Sequence, residues 1–304
     1  MKRLLYIITI VAVVLLTGCK AKTMYNDGED VFVSDNNVYV VGSTCEGTSL
    51  TDVPTLWIND EPQSIGRMGN FNKATSVFVD GSDVYVTVNE REQGRSFLWK
   101  NGTVQELGTK DANSVFVANG NVYVAGKEHD CPVLWINGEL TYLSTQGGAA
   151  NSVYVSGNDV YVAGYMGDYF SGTVVVWING VENQLGSRGS ANCVVVDNEH
   201  IYVAGEEHGN AALWVDGECQ ILSNEKSTAY SVAVSDGDVY VTGIGGFPDG
   251  SPKYGVWKNG IRQYVSDDMR DQILSVKINN GNVYLSGSRV AEIPLWVVEE
   301  TSLN

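Results

Sequence analysis

Seven tryptophans recur along this chain at a spacing near 40 residues, and each closes the same short pattern. The pattern runs through a valine-rich triplet, a Gly/Asn/Asp turn, a Val-Tyr-Val segment and a variable stretch. The tryptophans are Trp57, Trp99, Trp135, Trp177, Trp214, Trp257 and Trp296, separated by 42, 36, 42, 37, 43 and 39 residues, and the chain has no others. A period of that length holding several short strands is that of a β-propeller blade, not of a helical solenoid repeat. The expected fold is all-β: a single-domain, seven-bladed β-propeller of four-stranded antiparallel blades over residues 29–304.

The strands are legible one by one. First strands carry Val31-Phe32-Val33, Val77-Phe78-Val79, Val115-Phe116-Val117 and their equivalents. Turns such as Asn119-Gly120 and Asp236-Gly237 supply the positive φ angles of tight hairpins. Third strands end in Leu-Trp or Val-Trp and pass into Trp-Lys-Asn-Gly at 99–102 and 257–260, or Trp-Ile-Asn-Gly at 135–138 and 177–180. Fourth strands are fainter, as expected of a blade's solvent edge. The inner strands do not alternate apolar and polar residues because a blade is covered on both faces. The tryptophans are assigned to packing between blades rather than to a ligand ladder. All seven blades read as complete in one pass, so the ring is expected to close blade seven on blade one without an exchanged strand, with a different blade phase and strand exchange left open as the alternative.

The N-terminus carries an address. Lys2 and Arg3 precede an apolar run from Leu4 to Leu16, followed by Leu16-Thr17-Gly18-Cys19. The run is an export-signal core, too short for a membrane span. Leu-Thr-Gly-Cys resembles the lipobox of bacterial lipoproteins, and the resemblance implies a signal peptide at 1–18, an acylated (palmitate-bearing) Cys19 and a short tether at 19–28. Lys20 rather than aspartate follows the cysteine, which by the same pattern implies the outer membrane of the bacterial cell envelope. The repeats resemble NHL and kelch-like bacterial propellers, without their full diagnostic motifs. Over residues 19–304 the chain is similar to seven-bladed lipoproteins of Bacteroidetes-like bacteria, a resemblance that implies fold and anchor but no activity.

The formal charge is −17, and loss of residues 1–18 removes two basic residues and no acidic one, leaving about −19. Such a surface disfavours nucleic acid and anionic lipid headgroups as partners, and no nucleic acid is expected. The bilayer, through the lipidated N-terminus, is one expected partner; a glycan or an envelope protein is the other, with the chain acting as a monomer. No cofactor is expected. Calcium is open only at the level of composition, because no Asp-x-Asp-x-Asp-Gly loop occurs.

Links between second and third strands vary, whereas the turns at the other end are short and constant, so the variable-loop face is the expected binding face. Its most specific feature is Gly126-Lys127-Glu128-His129 echoed by Gly205-Glu206-Glu207-His208. Histidine beside carboxylate suits a metal or acid–base site, although repeat duplication alone also copies residues. Rings beside carboxylates, Tyr165, Asp168, Tyr169 and Phe170 in blade four and Phe247, Asp249 and Tyr254 in blade six, suit a sugar face or a protein partner. His200 falls on the opposite face and reads as structural. Cys45, Cys131, Cys193 and Cys219 are expected to stay unpaired. No nucleophile elbow, zinc helix or phosphate loop is present. The sequence therefore favours an anchored binding or scaffold protein over an enzyme. The alternative is a glycan-active propeller of the glycoside hydrolase or polysaccharide lyase type, whose carboxylates come from distant blades.

Overall fold

In the computed structural model, residues 24–34, 36–46, 52–66, 69, 72–108, 110–168, 171–246, 252–265, 271–290 and 295–299 are described. They form seven sheets in chain order, one per tryptophan: six with the meander of four antiparallel strands and a seventh of three. The first strands, innermost in each blade, are Met24–Ser34, Asn72–Asp80, Asp111–Ala118, Gly148–Ser156, Gly189–Asp197, Ser227–Ser235 and Ser275–Asn279. Cys19 and the leader before it lie outside the described residues.

Apolar packing lies between blades rather than within them. Seven clusters each join two neighbouring sheets; one sets Tyr85 and Leu98 of blade two against Trp135 and the valines of blade three. Trp135, Trp177 and Trp214 are fully buried, and the Trp135 indole donates across the interface to the Leu107 carbonyl at 3.2 Å. The Trp135 and Trp177 rings fold over their own second strands, which explains the glycine after Val-Tyr-Val-Ala there. A Cβ on Gly164 would meet the Ala149 carbonyl oxygen at 2.1 Å and the Trp177 ring at 3.0 Å.

The Trp-x-Asn-Gly element is a clasp as well as a turn. Asn179 sits at φ 51°, its Oδ1 accepts the Val160 N–H at 2.9 Å, and its Nδ2 donates to Asp159 at 2.8 Å. Asn59, Asn101, Asn137 and Asn259 make the equivalent pairs. In blade five Asp216 and His200 take the two places, 2.6 Å apart. The hydrogen bond to Asp216 raises the His200 pKa, and Asp216 is held low by the Ile201 N–H and by His200. Lys100 and Lys258 extend the clasp in blades two and six, each pairing with an aspartate and lying over a tyrosine ring.

Three expectations change. The first strand begins at Met24, so residues 24–28, read as tether, belong to blade one. The stretches around His129 and His208 are two-residue hairpin turns, not loops: second and third strands meet at Glu128↔Cys131 and Glu207↔Asn210. The ring is also not closed by packing alone. The segment Ser288–Val290 continues blade seven's second strand and pairs with Tyr25–Asp27 of blade one, with Gly28 N–H donating to the Gly287 carbonyl at 2.8 Å and Ser288 Oγ bonded to Asp27. Among the described residues, blade seven has no fourth strand.

Gly164→Ala is expected to cost about 2 kcal/mol, because carbonyl and indole occupy the space a methyl needs. Urea unfolding of the variant against the parent measures it.

Candidate functional site

Seven first strands converge on one axis, and six carry a β-bulge at the same place: Glu29, Thr75, Asn113, Asn151, Asn192 and Tyr230 are the extra residues. A bulge turns its side chain out of the pleat, here along the ring toward the next blade. Thr75, Asn113, Asn151 and Asn192 donate to the carbonyls of Ala112, Ala150, Ala191 and Ala229 at 2.7–2.9 Å.

The next residue in each strand makes a second ring. It is serine in five blades (Ser76, Ser114, Ser152, Ser231, Ser275), Asp30 in blade one and Cys193 in blade five. Ser76, Ser114, Ser152 and Ser231 accept the N–H groups of Val115, Val153, Val194 and Val276 at 3.2–3.4 Å. Cys193 lies 3.9 Å from the Val232 carbonyl. Asp30 completes the circuit: Oδ1 accepts from Ser275 at 2.8 Å, and Oδ2 from Ser76 at 2.9 Å and the Val77 N–H at 3.1 Å. This ring is hidden behind the valine periodicity, although its signal stands in the sequence as the Ser-Val that opens the triplet in five blades.

Two steps further along the axis the wall becomes lopsided. Phe32, Phe78, Phe116 and Tyr154 form an arc of tilted rings with centroids 4.6–4.8 Å apart. Blades five to seven have Val195, Ala233 and Lys277 at that level. These rings enclose a cavity of about 390 Å³. At the variable-loop end, Glu29, Lys73, Asn89, Arg91, Asp111 and Asn113 line a polar mouth of about 300 Å³. There Lys73 Nζ pairs with Glu29 at 2.6 Å, and Asn89 accepts the Ala112 N–H at 2.8 Å.

The residues singled out from the sequence divide. His129 and His208 are exposed and paired with their own neighbours, Glu128 at 3.1 Å and Glu207 at 3.0 Å. Both glutamates reach the preceding blade. Ser187 N–H donates to Glu207 at 3.1 Å, and a Cβ on Gly108 would meet the Glu128 carboxylate at 2.4 Å. Glu90 occupies the equivalent place in blade two, fully buried, accepting Glu92 and Gln93 N–H groups. Among the described residues no three His, Cys, Asp or Glu side chains are grouped to hold a metal ion. Tyr165 is half-buried on blade four's second strand, and Asp168 is exposed in the turn beyond it. Tyr254 stacks on Tyr230, a bulge residue, at 6.1 Å; burial raises its pKa against the Tyr230 hydrogen bond. Tyr169, Phe170, Phe247 and Asp249 lie outside the described residues. Cys131, Cys193 and Cys219 are free thiols.

No family model matches the chain, and no curated protein matches it. Solved structures do. The propeller domain of the Trilobed protease from Pyrococcus furiosus, described as having an open velcro topology, aligns at TM-score 0.57 with 14% identity over 92% of this chain and 99% of that one. Extracellular domains 1–2 of Drosophila Semaphorin 1a align at 0.58 with 8% identity over 92% and 87%. The extracellular domain of a putative one-component system from B. thetaiotaomicron aligns at 0.56 with 12% identity over 91% of this chain and 38% of that one. At such identities the likeness shows the fold alone: a β-propeller, here of seven blades.

Asp30→Asn keeps the size of the side chain but leaves one acceptor oxygen where two serve three donors from neighbouring blades. A loss of about 1–3 kcal/mol is expected, read as a lowered urea midpoint.

Proposed function

We propose that this protein is a lipid-anchored binding protein of the bacterial envelope that takes a glycan at the variable-loop mouth of its central channel. The observation that carries the reading is the mouth itself: amide, guanidinium, ammonium and carboxylate groups converge there on a rigid ring. Sugar hydroxyls both donate and accept, and a mixed set of this kind matches them. Ligand sites on a propeller's axis draw on several blades at once, as this one draws on blades one to three.

The anchor gives the reading a direction. Met24 begins its strand at the loop-face end, opposite Glu46. Four residues between it and Cys19 reach about 14 Å when fully extended. A chain acylated at Cys19 holds its loop face toward the bilayer, so a membrane-proximal envelope glycan or glycoconjugate is the fitting ligand.

The enzyme reading retains one supporting observation, that Glu29 and Asp111 line the same mouth. Against it, Glu29 is engaged by Lys73 at 2.6 Å and is not free to reach a substrate.

Two outcomes test this. Cys19→Ser is expected to lose metabolic acyl labelling and leave the membrane fraction; unchanged fractionation would end the anchor reading. A thermal-shift screen of the detergent-solubilised full chain against envelope and host glycans should give a saturable rise in Tm, since ligand at about 100 times Kd adds roughly 2.7 kcal/mol to the folded state. Arg91→Ala, an exposed turn residue, should abolish most of that rise. A flat screen would turn the search to protein partners.

A further inference from the structure

The aromatic arc stops halfway round the channel, and what replaces it is specific. Neighbouring rings from Phe32 to Tyr154 are tilted by 49–52°, an arrangement in which the edge of one ring meets the face of the next. Beyond Tyr154 the places taken by rings fall to Val195 and then to Ala233, which is recessed and 8% exposed. The side chain in blade seven is Lys277, which lines the same cavity. Blades four and seven stand nearly opposite in a ring of seven. The Lys277 charge acts on the Tyr154 hydroxyl from across the axis, opposing the rise that burial produces. Among the described residues Lys277 makes no ion pair and lies over no ring. An ammonium on a long stem thus faces an unfinished aromatic wall across a cavity of about 390 Å³, within the range of small-molecule sites.

We infer that the channel holds a second site, below the serine ring, for a small aromatic carboxylate whose ring continues the arc in the space left by Val195 and Ala233 while its anion pairs with Lys277. The ring supplies edge-to-face contacts that an aliphatic acid lacks, and the carboxylate supplies the charge that an aromatic amide lacks. This site is independent of the glycan reading, because it uses other residues at another level of the channel.

The test is calorimetric titration of the full chain with benzoate, 4-hydroxybenzoate and 2-naphthoate, beside benzamide and cyclohexanecarboxylate. Saturable binding of the aromatic acids is expected, with the amide and the aliphatic acid at least tenfold weaker. Lys277→Met should weaken the aromatic acids by about tenfold or more. Ala233→Phe should remove binding by giving blade six the residue that blades one to three already carry. Arg91→Ala should change nothing, which separates this site from the loop-face mouth. Equal affinity for benzoate and benzamide, or for parent and Lys277→Met, would overturn the proposal. If either variant folds poorly, ring-proton shifts of Phe32, Phe78, Phe116 and Tyr154 in the parent chain decide it: their absence on adding 2-naphthoate has the same consequence.

Discussion

The bulge in the first strand is the constraint from which the rest of this ring follows. A four-stranded sheet with a regular inner edge offers its neighbours only apolar faces, which slide. One extra residue in each of six inner strands turns a side chain sideways, and in four of them that side chain has a fixed acceptor in the next blade. The serine after it repeats the connection one step on. Each interface thus has directional bonds at its narrow end and a nondirectional valine–tryptophan cluster further out. The bonds set the register between blades, and the burial supplies most of the stabilisation.

The same arrangement explains what can vary. Ring members meet carbonyl and N–H groups of the backbone, so a blade can change its surface while keeping its place. Blade five exchanges serine for Cys193 and asparagine–aspartate for Asp216–His200, and both exchanges keep the local pairing. Side chains that point along the axis but take no part in the rings, at the level of Phe32 and Lys277, are free of that duty. At that level the blades carry phenylalanine three times, then Tyr154, Val195, Ala233 and Lys277.

The fold was legible because its signals are local: a tryptophan every 40 residues, Asn-Gly turns that need positive φ, and a glycine wherever an indole and a bulge carbonyl crowd one spot. The binding surface was harder to read. Lys127 and Pro132 resemble loop residues in sequence, yet they pair with each other across a hairpin, since a proline at the start of a strand leaves the ladder little disturbed. His129 and His208 therefore lost their expected loops. The serine ring was visible as Ser-Val and overlooked because the valines carry the stronger periodic signal. The pairing of Tyr25 with Val290 has no sequence signature, being set by where the ring happens to meet itself.

That last pairing also orders events in time. As the chain is made from N- to C-terminus, blade one's inner strand precedes Ser288–Val290 by the whole of the ring, with Asp27 and Ser288 261 residues apart. Until it arrives, Tyr25–Asp27 presents an uncovered strand edge, and every blade formed meanwhile adds to an open arc. Contacts separated by so much chain are the slowest to form and leave edges exposed for longest. A nascent propeller of this design has the most to gain from anything that shields its first strand until the seventh blade is complete.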